Sequence, residues 1–174
     1  MTARPVSAPA APPREQIMQL CAFRVGEEEY VLDIMRIKEI IPPLRITQVP
    51  HAPPFVVGVV NLRGAIIPIV DLRERLSLPP APPTRRTRYL ICMVGGRRVG
   101  LVVDAVTEVL RIPRGSIKPA PALLAGPGPK FFVGVCGEKE RLKLLLNVRA
   151  LLESTSPVPN ADMRALVRGE GGAA

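Results

Sequence analysis

The side chains able to do chemistry are few and far apart. His51 is the single histidine in the chain. It stands between Pro50 and Ala52 with no acid, base or second ligand nearby in sequence, so a turn residue is the expected role. Cys21, Cys92 and Cys136 are odd in number, widely spaced and set inside apolar runs. Buried, reduced thiols in a reducing compartment are expected there, because a metal site would want closer ligand pairs. Asp33, Asp71 and Asp104 each follow an apolar run; such carboxylates are expected to accept hydrogen bonds from turn amides. Gly126-Pro127-Gly128-Pro129-Lys130 has the outline of a phosphate loop, but its prolines remove amide donors and no Gly-Lys-Ser/Thr follows. Nucleophile–base pairs, Cys/His ligand pairs and dinucleotide fingerprints are absent. The expectation is a protein with no catalytic residue, no metal and no cofactor.

Two opposite charges remain, Glu39 and Arg63. If neighbouring strands carry them, an ion pair would orient the Arg fork; two independent solvated charges are the other reading. The elements that would position them centre on Gly58-Val59-Val60-Asn61-Leu62-Arg63-Gly64-Ala65-Ile66-Ile67-Pro68-Ile69-Val70-Asp71-Leu72-Arg73. Two β-branched runs flank an Asn-Leu-Arg-Gly corner, the pattern of a buried hairpin in which Gly64 supplies a positive φ. Pro68 cannot donate to a ladder, which points to an edge or bulge position.

The chain writes this hairpin twice. A shift of 76 (58 to 134) places Gly58-Val59 on Gly134-Val135, Asp71 on Asn147, Arg73 on Arg149 and Leu76 on Leu152 without a gap. A shift of 69 (25 to 94) places Val25-Gly26 on Val94-Gly95, Ile37 on Val106, Glu39 on Glu108 and Ile40-Ile41 on Val109-Leu110. The Gly, Glu and Arg matches at constant offset mark an internal duplication. Glu108 repeats Glu39, with Lys139 in the place of Arg63.

Around these segments the elements are short and strand-like: residues 18–25, 29–34, 36–41 and 46–49, then 88–94, 99–103, 106–112, 131–136 and 141–146. Asn147 is an N-cap for a helix over 148–153. Leu78-Pro79-Pro80-Ala81-Pro82-Pro83 reads as a stiff polyproline-type connector. Five strands per copy with frequent turns predict a mainly β fold, two small antiparallel barrels or open sheets with a short C-terminal helix. Halves of about 17–76 and 86–147, joined by a connector at 77–85, are each marginal for an independent core and are expected to share a third apolar surface. Residues 1–16 form an Ala/Pro-rich tail expected to be disordered, and 154–174 a second tail in which 161–168 could turn into a helix.

The composition sets further limits. The chain has 174 residues and a net charge of +9. Residues 17–83 balance seven basic against seven acidic side chains, whereas residues 84–118 carry eight basic against Asp104 and Glu108. The excess is read as a solvated basic face or as a surface for an acidic protein partner. A small basic barrel binding nucleic acid is the alternative, weakened by the presence of only six aromatics, most in apolar contexts. No apolar run is long enough to span a membrane and the N-terminus lacks a signal-peptide h-region, so a cytoplasmic protein without membrane insertion is expected.

Several motifs together resemble the chemotaxis coupling protein family, CheW. They are Gly26-Glu27-Glu28-Glu29-Tyr30, Ile37-Lys38-Glu39-Ile40, Pro54-Phe55-Val56-Val57-Gly58, Asn61-Leu62-Arg63-Gly64, Pro68-Ile69-Val70-Asp71-Leu72-Arg73, Gly100-Leu101-Val102-Val103-Asp104 and Phe132-Val133-Gly134-Val135. The resemblance covers roughly residues 17–153. It implies two intertwined five-stranded SH3-like β-barrels and a scaffold without catalysis of its own. The implied partners are the signalling tip of a methyl-accepting chemoreceptor, the regulatory domain of the histidine kinase CheA and other CheW-like domains in array rings. By the same resemblance Ile37, Glu39 and Ile40 match a receptor-contact strand, Gly58, Asn61 and Arg63 the bordering hairpin, and Val106 and Val109 the far side of the groove. Ile37, between Arg36 and Lys38, is expected to face outward as an anchor. Kinase-contacting residues are not placed one by one. The Pro-rich connector, the basic second half and Asn147, where the family often has Asp, depart from the pattern.

Overall fold

The computed structural model describes residues 9–121, 131–138 and 140–154. Along these the chain forms β1 (Ile17–Val25), β2 (Glu28–Asp33), a 3-10 turn (Ile34–Arg36), β3 (Ile37–Ile41), β4 (Val56–Leu62), β5 (Ala65–Asp71) and helix α1 (Leu72–Arg75). The second copy supplies β6 (Arg88–Val94), β7 (Arg97–Val103), β8 (Ala105–Pro113), the two-residue β9 (Lys118–Pro119), β10 (Phe132–Cys136), β11 (Lys143–Leu146) and helix α2 (Val148–Glu153). The fold is mainly β, as the alternating apolar runs require. Residues 46–49, expected as a strand, form only a single bridge from Thr47 to Val59. Prolines at 42, 43, 50, 53 and 54 surround that segment and leave no room for a longer ladder.

Two sheets result, in the orders β8-β1-β2-β11-β10-β9 and β3-β6-β7-β5-β4. Each takes a hairpin from the other copy: β1–β2 joins the strands of the second copy, and β6–β7 those of the first. The duplication extends to register. Ile69 pairs with Gly100 in the parallel β5–β7 ladder, and its image Leu145 pairs with Val31 in β11–β2. Ile40 pairs with Leu90, and their images Val109 and Cys21 pair likewise.

Glycine is required where a connecting segment crosses each hairpin. A Cβ on Gly58, whose φ is +149°, would lie 2.3 Å from the Thr47 carbonyl oxygen. One on Gly134 would lie 2.7 Å from the Lys118 carbonyl oxygen. Neither backbone could yield without breaking its crossing bonds, such as the two 2.8 Å hydrogen bonds between Thr47 and Val59.

Pro68 differs from expectation. It lies on β5, an interior strand of its sheet, opposite Val59. Both backbone polar groups of Val59 go to Thr47, so this pair is of the non-hydrogen-bonded type and the Pro68 nitrogen points away from β4. On its other side the ladder with β7 starts only at Ile69. The missing N–H therefore costs no hydrogen bond.

The sheets share a central cluster that includes Phe23, Leu32, Leu72, Leu90, Leu101, Leu144 and Leu151. Each also has its own smaller cluster, around Ile67 and Ile69 in one and around Leu20 and Val31 in the other. Full burial of side chains this size contributes about 1.5–3 kcal/mol each. The shared cluster is the third apolar surface that two small halves need. The helices are capped from equivalent positions, one residue apart in reach: Asp71 Oδ1 accepts from the Arg73 N–H at 2.8 Å, and Asn147 Oδ1 from the Ala150 N–H at 3.1 Å. Asn thus does the capping work of Asp.

Candidate functional site

The β4–β5 hairpin closes in two residues, since Leu62 pairs with Ala65. Arg63 has φ +49° and Gly64 φ +84°, the type I′ turn whose twist suits a two-residue hairpin. The left-handed conformation expected at Gly64 therefore extends to Arg63 as well. Asn61 Oδ1 accepts the Gly64 N–H at 2.9 Å and holds the corner. From it the Arg63 Nη2 reaches Glu39 Oε1 on β3. Because β3 and β4 are the two end strands of their ladder, this ion pair joins its ends. The Arg63 hydrogen bond holds the Glu39 carboxyl below its ordinary pKa, with the Arg98 charge adding to the effect. The Arg63 side chain is 70% exposed, so the pair fixes a shape more than it adds stability.

The apolar candidates divide by depth, and the division repeats in both copies. Ile37 and its image Val106 are half-buried against the central cluster. Ile40 and its image Val109 are 42% and 54% exposed. The expected outward anchor at Ile37 is thus corrected: Ile37 packs inward and Ile40 is the exposed apolar residue on β3. Gly58 is buried at the crossing described above. Glu39, Asn61 and Arg63 come together at one corner with Ile40 on the same strand, whereas Val106 and Val109 sit on β8, the end strand of the other sheet.

In the second copy the acid at the Glu39 position finds another base. Glu108 lies 3.4 Å from Lys143 Nζ, which donates to Glu29 at 2.8 Å. Burial works against the Lys143 ammonium, but the Glu29 bond outweighs it and raises its pKa. Lys139, the position aligned with Arg63, lies outside the described residues, as do Gly126–Lys130 and residues 161–168.

Two further arginines went unrecognised in the sequence. Arg73 grips Asp104 with Nε at 2.9 Å and Nη2 at 2.6 Å, and the same carboxylate accepts the Gly26 N–H at 2.8 Å. Burial alone would raise the Asp104 pKa, but Arg73 and Gly26 reverse the balance and lower it. Arg75 is only 6% exposed; it donates to the carbonyls of Leu151 at 2.6 Å and Ser154 at 2.8 Å. Nothing local in Leu72-Arg73-Glu74-Arg75 marks the last residue as buried. The one signal is that Phe55 and Phe131, which flank its guanidinium, are images under the 76-residue shift.

The remaining candidates behave as turn and core residues. Asp33 Oδ1 accepts the Met35 N–H at 3.0 Å. His51 is an exposed turn residue with φ +60°. The three cysteines are buried and form no disulfide, and burial pushes the Cys92 thiol up to about 12. Among the described residues no group of three or more His, Cys, Asp or Glu is placed to hold a metal, and no helix is long and apolar enough to cross a membrane. Phe23, Tyr30, Tyr89, Phe131 and Phe132 are buried and Phe55 half-buried, which leaves a nucleic-acid reading without stacking platforms.

The family model for the CheW-like domain matches residues 19–156. The chain belongs to the CheW family. CheW of Rhizobium meliloti is 39% identical over 136 residues, covering 78% of this chain and 88% of that protein. The probable chemotaxis protein CheW of Rhizobium etli is 37% identical over 137 residues, 79% of this chain and 88% of its own length. Protein FrzA of Myxococcus xanthus is 31% identical over 154 residues, 87% and 92% of the two chains. The crystal structure of the scaffolding protein TtCheW from Thermoanaerobacter tengcongensis superposes with a TM-score of 0.71 at 30% identity, covering 83% of this chain and 99% of that one. CheW proteins are chemotaxis scaffolds, and this chain is one of that family.

Proposed function

We propose that the chain is a non-catalytic adaptor that couples the signalling tip of a methyl-accepting chemoreceptor to the regulatory domain of the histidine kinase CheA. It would do so from the cytoplasm, recruited to a membrane-associated or cytoplasmic receptor array in which other CheW-like domains are further partners. The observation that carries this reading is the Glu39–Arg63 pair at the exposed hairpin corner. It holds a surface in shape beside the exposed Ile40 while adding little to the core. In this reading Glu39, Ile40, Asn61, Arg63 and Val109 meet the receptor, and Ile37, Gly58 and Val106 support them from beneath. Kinase contacts are not assigned to individual residues. Docking of this kind needs apolar burial and charge complementarity, and no nucleophile, metal or cofactor.

The test is reconstitution of receptor tips, CheA and this chain, followed by co-sedimentation and kinase autophosphorylation. Chain-dependent stimulation that is lost with Ile40→Asp supports the coupling role. Failure to co-sediment with either partner would remove it, and salt-sensitive oligonucleotide binding in its place would favour the alternative.

A further inference from the structure

The connector between the copies carries Pro79-Pro80-Ala81-Pro82-Pro83-Thr84-Arg85-Arg86, and every one of these residues is exposed. Proline fixes φ near −65°, and a residue that precedes proline is driven to extended or polyproline II backbone. Leu78, Pro79, Ala81 and Pro82 all precede a proline, and no described peptide bond is cis. The segment is thereby held as polyproline II, three residues per turn and about 3.1 Å per residue. Pro80 and Pro83 fall on one edge of that helix, and Pro79 and Pro82 on the next.

Both ends are fastened. The Leu78 N–H donates to the Arg73 carbonyl at 2.8 Å, and Arg73 Nη1 donates to the Pro79 carbonyl at 2.8 Å. At the other end the Thr84 N–H donates to Thr87 Oγ1 at 2.8 Å and the Thr87 N–H returns to the Thr84 carbonyl at 3.2 Å. Arg88 Nη1 donates to the Arg85 carbonyl at 2.8 Å. Between these staples the carbonyls of Pro80, Ala81, Pro82 and Pro83 take part in no hydrogen bond among the described residues. Arg85 and Arg86 follow in the turn that Thr84 and Thr87 close, and form no ion pair among the described residues.

We infer that residues 79–83, with the Arg85-Arg86 turn that follows them, are a pre-organised polyproline II ligand for a partner protein whose groove is lined by aromatic side chains and flanked by carboxylates. Such grooves read a PxxP edge by seating prolines between rings, donate to its free carbonyls and select an adjoining base with an acidic pocket. Here Pro80, Pro83 and Arg85 stand in that order. Fastening both ends removes most of the ordering cost that a loose proline tract would meet on binding. The reader is not a second copy of this chain, because five of its six aromatic rings are buried and Phe55 is half-buried beneath Arg75. The inference is independent of the coupling role proposed above.

The experiment is a 15N–1H NMR titration of the full chain with an SH3 domain that prefers a PxxP core followed by a basic residue. Prolines have no amide, so Ala81, Thr84, Arg85 and Arg86 report. Saturable shifts should appear at those four residues and their neighbours. Affinity should fall at least about tenfold in Pro80→Ala/Pro83→Ala and again in Arg85→Glu/Arg86→Glu, with Tm unchanged in the arginine variant and only slightly lower in the proline variant, whose unfolded chain gains freedom. Absence of saturable binding, shifts confined to the sheets, or undiminished binding by the double proline variant would overturn the proposal. A fall in Tm that tracks the loss of binding would make the prolines a brace of the fold and overturn it equally.

Discussion

Arg75 donates from Nε to the carbonyl oxygen of Leu151 at 2.6 Å, and Leu151 occupies the position of Arg75 itself in the second copy of the repeat. Its guanidinium carbon stands 5.1 Å from the ring centroid of Phe55 and 5.3 Å from that of Phe131, rings that are likewise images of one another. Their backbones match as well: Phe55 accepts from the Asp71 N–H and Phe131 from the Asn147 N–H, each at 2.8 Å. One copy thus inserts a charged pin where the other has an apolar residue, and the pin closes the end of α2.

Arg75→Ala should leave the Leu151 and Ser154 carbonyls short of a donor and open the space between the rings. A loss of about 1–3 kcal/mol is expected, read as a lower urea midpoint. Arg75→Lys should recover little, since an ammonium cannot stack on two rings and fork to two carbonyls. Full recovery by lysine would show that charge alone matters.

Arg63→Ala and Glu39→Ala should each impair receptor-coupled kinase stimulation while Tm stays close to wild type. In the double variant the losses should not add, because residues in contact share one interaction. Strict additivity in the kinase assay would mean two independent surface charges.

Ile37→Asp and Ile40→Asp should part company. The first places a carboxylate against the central cluster and should cost roughly 1–3 kcal/mol of stability along with binding. The second should weaken receptor binding and leave chemical denaturation unchanged. Equal destabilisation by both would show that Ile40, too, belongs to the core.

Acid should weaken the fold through Asp104 and Glu29. Both carboxyls are held below their ordinary pKa: burial opposes the charged form, but Arg73 stabilises Asp104 and Lys143 stabilises Glu29. A depressed folded-state pKa contributes stability above the unfolded-state value and loses it as pH falls through the folded one. Tm should therefore drop below the ordinary carboxylate range, and the gap between wild type and Asp104→Asn should narrow there. A gap that stays constant on acidification would assign the effect of Asp104→Asn to packing. Lys143, its pKa raised by the Glu29 bond against burial, contributes in the opposite sense and should lose its share only as pH rises through its folded value.

Much of this architecture was legible because two constant offsets fix which residues are equivalent, and the registers obey them. The Asn147 cap followed from residue type and spacing, whereas the sequence left Glu39 and Arg63 open between an ion pair and two solvated charges, because the pair depends on the sheet bringing its end strands β3 and β4 together. What escaped has physical reasons. The left-handed backbone at Arg63 is one that arginine rarely adopts, and only the pairing of Leu62 with Ala65 enforces it. Pro68 escaped because its tolerance depends on which side of β5 carries a ladder, a property of the sheet and not of the strand. The charged neighbours of Ile37 suggest an outward side chain, but period-two alternation with exposed Lys38 turns Ile37 inward and Ile40 outward. Offsets reveal equivalence but not which hairpin joins which sheet; the family resemblance implied that the halves intertwine, and the structure shows that they do so by exchanging β1–β2 for β6–β7.

That exchange makes the molecule a swapped dimer written in one chain. Neither repeat can complete a sheet until the other has been made, so the stabilising contacts are long-range in sequence and must form late and together. No strand passes through the connector, and a cut there would sever none of the ladders described above. The cooperative unit is the entangled pair, and a ribosome that has delivered only the first repeat has delivered nothing that can close.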